Sequence, residues 1–311
     1  MIYVYAPSMA TIVYAAERWF WHEMHVISPN PAIIKLCKQL DIPVTSIKRN
    51  IDSSIRGLIR YRKYINQIAA GFKDCDFIFC FYGFDYWGLY FIKQLNKSNK
   101  VYFNNLDISY PKKKKKNYRD IIDLLLLKVV TQLPLTFFEI SANRYFVGLT
   151  TDWLTATYNP VKLKADNSVY KKNQEHIRIA YDIPDYNWIF IDQGNIAFNI
   201  PDDVASIIVG LEKLIFKKHP GFDVSNELFL KCTMVAEEIP VQFLINEDTC
   251  VITIASTSTI DSKSQNIISI INLVKWYELE QQKKYLKLLR SHIRIPNTLE
   301  QLKKEFHSLT I

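Results

Sequence analysis

WIFIDQGNIAFNIPDDVASIIVGLEKLIFKKHP, residues 188–220, decides the fold class. Trp188 to Ile191 is an uninterrupted apolar run, as a strand buried on both faces must be. Asp202 to Val209 places apolar residues along one side of a helix, and Lys213 to Phe216 reads as a second strand. Strand, helix and strand in this order make a βαβ unit, whose two strands lie parallel in one sheet.

The same alternation extends in both directions. Downstream come a helix from Val241 to Ile245, a strand from Val251 to Ala255 and a charged amphipathic helix from Leu273 to Leu289. Upstream, strands are expected at Ile2 to Tyr5, Met24 to Ile27, Phe77 to Phe81 and Val101 to Phe103. Helices are expected at Thr11 to Glu23, Pro31 to Leu40, Ile55 to Gly71 and Tyr86 to Leu95. The 311 residues suit two domains of about 150 residues each. The expected division is an N-terminal lobe over 1–157, a polar linker carrying Pro160 over 158–175, and a C-terminal lobe over 176–311. The fold class is therefore α/β: two Rossmann-like lobes, with a ligand crevice outside the carboxyl ends of their strands.

Composition removes several classes of function. Only 8 Gly occur, and neither GxGxxG nor GxxxxGK[ST] is present, which argues against dinucleotide enzymes and P-loop NTPases. The five cysteines, Cys37, Cys75, Cys80, Cys232 and Cys250, are scattered without a CxxC, the usage of a reducing compartment rather than a zinc site. The opening MIYVYAPSMATIVYAAERWF meets charge at Glu17 and Arg18, so it reads as a first strand and helix, not a signal peptide. The longest apolar stretch, Ile121 to Phe138, is broken by Asp123, Lys128, Gln132 and Pro134 and is not a membrane span. A cytoplasmic protein is expected. Net charge is +8, concentrated at Lys112-Lys113-Lys114-Lys115-Lys116. That run is either a solvated loop or an attachment to an anionic membrane surface, where each Lys contributes about 1 kcal/mol. No nucleic-acid-binding motif accompanies it.

Three short segments carry chemistry. Lys217-Lys218-His219-Pro220 follows a strand, and a histidine at a strand's carboxyl end can bind or protonate a leaving phosphate. An ordinary turn histidine is the plainer reading. Ser256-Thr257-Ser258-Thr259 also follows a strand, where hydroxyls and backbone N–H groups either cradle a phosphate or cap a helix. Ile239-Pro240-Val241-Gln242-Phe243-Leu244-Ile245 places one polar side chain, Gln242, in an apolar run, suited to a ribose hydroxyl or to a helix surface.

In order and spacing these segments resemble bacterial sialyltransferases of the two-lobed GT-B type, nearest the lipooligosaccharide and capsule enzymes. The resemblance is carried by KKHP, IPVQFLI and VITIASTST within residues 188–261, and more faintly by FIFCFYGFDYWGLYFIKQLNKSNKVYFNNLD. It implies an inverting glycosyltransferase moving sialic acid or a related sugar from a CMP donor to a cell-surface glycan or lipid-linked acceptor. The C-terminal lobe would hold the donor and the N-terminal lobe the acceptor. Lys218, His219, Pro220, Ser256, Thr257 and Ser258 would then hold the CMP phosphate, and Gln242 the ribose. The family's Asp-Asp-Gly signature falls on Asn104-Asn105-Leu106, with Asp107 one step later. Neither asparagine can act as a base. By resemblance the base is Asp192, after the first strand of the C-terminal lobe, with Asp107 the second choice. No metal or other cofactor is expected: Asp74-Cys75-Asp76 precedes its strand, the wrong end to face a crevice. A CDP-glycerol or CDP-ribitol phosphotransferase is the alternative enzyme, though Ala255 stands where those usually carry an aspartate. A degenerate, non-catalytic transferase homologue is the alternative suggested by Asn104-Asn105.

Overall fold

The computed structural model describes residues 1–48, 54–81, 86–105, 118–141, 144–148, 163–194, 197–255, 264–287, 289 and 292–310. The chain divides into two units, Met1–Asn173 and Gln174–Ile311. In the first, β1 (Ile2–Tyr5), β2 (Met24–Ser28), β3 (Val44–Ser46), β4 (Asp76–Phe81) and β5 (Lys100–Asn105) form one sheet in the order β3-β2-β1-β4-β5. Every pairing in it is parallel. Its helices are α1 (Met9–Ala16), α2 (Pro31–Gln39), α3 (Ile55–Ala70), α4 (Tyr86–Leu95) and α5 (Tyr118–Thr131). An antiparallel pair, β6 (Thr136–Ser141) and β7 (Arg144–Gly148), follows.

The second unit repeats the plan. It contains β8 (Trp188–Ile191), β9 (Phe198–Asn199), β10 (Leu214–Lys217), β11 (Thr233–Met234), β12 (Cys250–Thr253), β13 (Ile267–Ser269) and β14 (Lys275–Trp276). Its main sheet runs β11-β10-β8-β12-β13, all parallel, and β9 pairs with β14 antiparallel outside it. Each main sheet therefore has its first strand in the middle and grows outward on both sides, the doubly wound arrangement. Helix α6 (Asn167–Ala180) joins the units; α7 (Asp202–Val209), α8 (Leu279–Leu286) and α9 (Leu299–Thr310) belong to the second.

Local chemistry accounts for these elements. Asn30 caps α2 by accepting the N–H of Ala32 at 3.1 Å, with Pro31 as the first helical residue. Ser54 caps α3 through the N–H of Gly57, also at 3.1 Å. Every residue of β8, β10 and β12 is buried, which is why they read as continuous apolar runs. Beneath β8 and β10 the rings of Phe190, Phe216 and Phe229 pack at 4.4–5.8 Å. No described helix is long and apolar enough to cross a membrane.

Four expectations change. Thr11 to Glu23 is not one helix: α1 stops at Ala16, and Trp21–Glu23 form a separate 3-10 turn. Val241–Leu244 is likewise a 3-10 turn, led by Pro240. Leu273 to Leu289 splits into β14 and α8, because the Trp276 ring packs on Phe198 at 5.2 Å and Tyr285 at 5.5 Å. Residues 167–175 of the expected linker are helical, the start of α6, with Val169, Tyr170, Asn173 and Ile177 buried along one side. Their polar composition hid that stripe.

Asn173 closes the first unit. Its side-chain oxygen accepts the N–H of Trp21 at 3.2 Å, and its amide donates to the carbonyls of Ala16 and Trp19, both at 2.8 Å. Its own carbonyl accepts the Trp21 indole N–H at 3.1 Å. One side chain thus satisfies the backbone where the chain leaves α1. Asn173→Ala strands three backbone groups in a buried site, and urea unfolding should show a loss of about 3 kcal/mol. A loss within error of zero would mean that water or a shifted chain replaces them.

Candidate functional site

The site is built where β8, β10 and β12 end side by side at the carboxyl edge of the second sheet. Asp192 follows β8, and its N–H donates to the carbonyl of Lys217 at 3.0 Å, extending the pairing by one residue. The residue is 1% exposed. One oxygen accepts the N–H of Gly194 at 3.0 Å, and the other accepts the N–H of Ser225 at 2.8 Å. A buried carboxylate needs such donors to remain out of water. Gln193 reaches the other way: its side-chain oxygen accepts the N–H of Ala255 at 3.0 Å, just beyond β12. Gly194 has φ of 75°, and a Cβ there would lie 2.4 Å from the Cβ of Phe222. Three consecutive residues therefore fasten the segments after β10 and β12 to the end of β8.

The segment after β10 carries the histidine. Lys217 is buried and donates to the carbonyls of Ala236 at 3.1 Å and Glu237 at 3.0 Å. Burial pushes its ammonium down to about 8, while Glu237 and Glu238 pull it upward. Lys218 turns to the surface and pairs with the Glu237 carboxylate at 3.3 Å. His219 is half-buried against the Phe222 ring, with centroids 4.6 Å apart. Its Nδ1 is shielded from solvent and has no hydrogen-bond partner among the described residues. Pro220 is exposed, and Gly221 at φ of 93° turns the chain back so that Phe222 can reach both the imidazole and Gly194.

The structure thus brings Asp192, Lys218, His219 and Pro220 onto neighbouring strand ends. Gln242 is half-buried on the 3-10 turn ahead of β12, and its carbonyl accepts from the Gln174 side chain at 3.5 Å. Ser256, Thr257, Ser258, Asp107 and Lys112–Lys116 lie outside the described residues. Asn104 and Asn105 end β5, in register with Cys80 and Phe81. Asp76 opens β4, and a cavity of about 520 Å³ lined by Asp74 and Asp76 lies at that amino end, away from the carboxyl edge of its sheet. Among the described residues no three His, Cys, Asp or Glu side chains are grouped to hold a metal ion.

Sequence reasoning missed several participants. Gln193, Ser225 and Phe222 act through contacts that no motif announces. Glu238 is buried, and its carboxylate accepts from Tyr181 Oη at 3.4 Å. Its place beside the surface Glu237 gave no sign of burial. A cavity of about 300 Å³ opens beside Gln193 and Gly194 and is lined on its far side by Gln281, Lys284 and Tyr285 of α8. A larger one, about 730 Å³, lies around Pro201, Asp202 and Asn272 and touches none of the motif residues.

No protein-family model matches the sequence, and a search of curated proteins finds no significant match. Among solved structures, the chain is similar to a UDP-GlcNAc 2-epimerase from Neisseria meningitidis bound to UDP-GlcNAc. That match has 10% identity and a TM-score of 0.43, over 99% of this chain and 90% of that one. A glycosyltransferase from Rickettsia africae matches at 12% identity and a TM-score of 0.40, over 99% and 87%. MurG from Acinetobacter baumannii matches at 11% identity and a TM-score of 0.34, over 100% and 90%.

Two measurements probe the site's framework. In Asp192→Asn, the amide can accept only one of the two N–H groups and turns a donor toward the other. Stability should fall by about 2–3 kcal/mol. Retained stability would instead mean that the two N–H groups do not depend on the Asp192 carboxylate. Lys217 gives a pH test. Its folded value of about 8 lies below the ordinary 10.5, so the unfolded chain holds more protons between those limits. Stability relative to Lys217→Met should therefore rise as pH goes from about 8 to about 10.5, by at most about 3 kcal/mol. A flat difference across that window would show that the ammonium is not desolvated.

Proposed function

We propose that the chain is a glycosyltransferase whose second unit binds the nucleotide of an activated sugar at the carboxyl ends of β8, β10 and β12. The observation that carries this reading is His219: a ring braced by Phe222 at a strand end, with Nδ1 left without a protein partner among the described residues. A ring so placed can offer an N–H to a phosphate oxygen. Such a donor offsets charge as a sugar–phosphate bond breaks.

The donor is a CMP-sugar, sialic acid or a relative, and the acceptor a glycan or lipid-linked oligosaccharide. Support for this finer reading is the order of KKHP, IPVQFLI and VITIASTST along the sequence. CMP leaves as a monophosphate, so His219 with the Ser256, Thr257 and Ser258 hydroxyls suffices to receive its charge, and no metal is required. Lys218 and Pro220 shape the phosphate turn, and Gln242 holds the ribose. Because both oxygens of Asp192 already accept backbone N–H groups, its role is to hold the turn that presents His219. Taking the acceptor's proton then falls to Asp107.

Purified protein should be incubated with CMP-, CDP- and UDP-donors while nucleotide release is followed. Release from a CMP-sugar, lowered about a hundredfold in His219→Ala, is expected. Turnover of UDP-sugars alone would replace the donor, and phosphoglycerol transfer from CDP-glycerol would replace the reaction. Asp107→Asn should abolish transfer while CMP still raises the melting temperature. If it transfers normally, another group is the base.

A further inference from the structure

The outer surface of α3 and α5 is the least expected feature of the first unit. Both helices pack on the same core cluster, α3 through Leu58, Ile65 and Ala69 and α5 through Leu124 and Val130. They also lie against each other. Their solvent sides ought then to be polar. On α5 they are not. Ile122, Leu125 and Val129 recur at helical spacing on the outside and are 43%, 54% and 72% exposed. On α3, Ile55 and Ile59 are 54% and 45% exposed. Of the described residues of the first unit, five of the seven exposed large hydrophobics lie on these two helices, Met1 and Tyr102 being the others.

The charges on the α3 side of this face have one sign. Arg56, Arg60 and Lys63 are exposed on α3, and that helix contains no acidic residue. Arg62 is turned inward, donating to Tyr90 Oη at 3.1 Å. On α5 the sequence holds Arg119 and Lys128 against Asp120 and Asp123, so the cationic excess comes from α3. In sequence, the five lysines of 112–116 end two positions before α5 begins. Apolar rows bordered by cations match the interface of an anionic bilayer, where isoleucine, leucine and valine enter the acyl boundary and arginine and lysine meet headgroups. A second copy of the chain fits less well, since a two-fold contact through this face would set the α3 cations against one another.

We infer that the α3–α5 face is a docking surface for a membrane containing anionic lipid, through Ile55, Ile59, Ile122, Leu125 and Val129 with Arg56, Arg60 and Lys63. The attachment is peripheral and reversible. It is independent of the donor reading, because it involves only the first unit.

Flotation of the full chain tests it, using phosphatidylcholine vesicles with and without phosphatidylglycerol and no nucleotide present. Wild-type protein should float with the phosphatidylglycerol vesicles, stay behind with phosphatidylcholine alone, and dissociate as salt is raised. The variant Arg56→Ser/Arg60→Ser/Lys63→Ser should lose about a hundredfold in partitioning, at about 1 kcal/mol per cation. Ile122→Ser/Leu125→Ser/Val129→Ser should lose about tenfold or more. Light scattering of each protein shows whether the face instead joins two copies. A wild-type dimer that the apolar variant dissolves, with flotation unchanged, overturns the proposal. So does wild-type protein that ignores phosphatidylglycerol, or a cation variant that floats as wild type does. Should the apolar variant misfold, the cation variant decides alone.

Discussion

A carboxylate buried in a protein has to be surrounded by donors, and the way Asp192 meets that demand organises the second unit's working edge. Its donors are backbone groups on two different segments, so the charge cannot be satisfied unless the turn after β8 and the segment after β10 lie in one arrangement. Gly194 follows from this. The turn needs a positive φ, and Phe222 fills the space that a side chain would occupy. The imidazole of His219 then packs at a tilt against that same Phe222. The position of His219 at this edge is therefore inherited from an electrostatic requirement at the first residue beyond a strand.

Much of the fold could be read directly because parallel strands buried on both faces leave a plain trace: WIFI, LIFK and CVIT are apolar almost throughout. What escaped reading has an identifiable cause in each case. α6 was hidden by a polar composition with few apolar residues, although those few share one side. β14 was hidden by charge periodicity that suited a helix until Trp276 found Phe198. At the site, sequence marks the strand-end positions of Asp192 and His219, because a motif is local. It cannot mark what Asp192 is bonded to, since Ser225 is 33 residues away, nor that Gln193 reaches Ala255 across 62.

The lysine pair after β10 shows how far adjacent identical residues can diverge. Lys217, the last residue of β10, reaches two carbonyls in the interior, and Lys218, just past the strand, pairs with a carboxylate. The first is held by hydrogen bonds in a poorly solvated place, and the second is an ordinary surface ion pair of small energetic weight. The net charge of +8 is thus a poor guide to the field near any one site. At least one of its contributors is spent on internal structure, while α3 gathers several on one exposed side.

Asn173 has a consequence for the order in which the chain can become native during synthesis. The strands of the first sheet are complete by Asn105, yet the Trp21 N–H and the carbonyls of Ala16 and Trp19 find their partner in one side chain, 152 positions after Trp21. Until that residue has left the ribosome, the first unit is a finished sheet with an open seam. A residue of α6 closes that seam, and the same helix runs on into Gln174, whose side chain serves the backbone of the second unit. Completion of one body and commencement of the next are thus assigned to adjacent residues of a single helix.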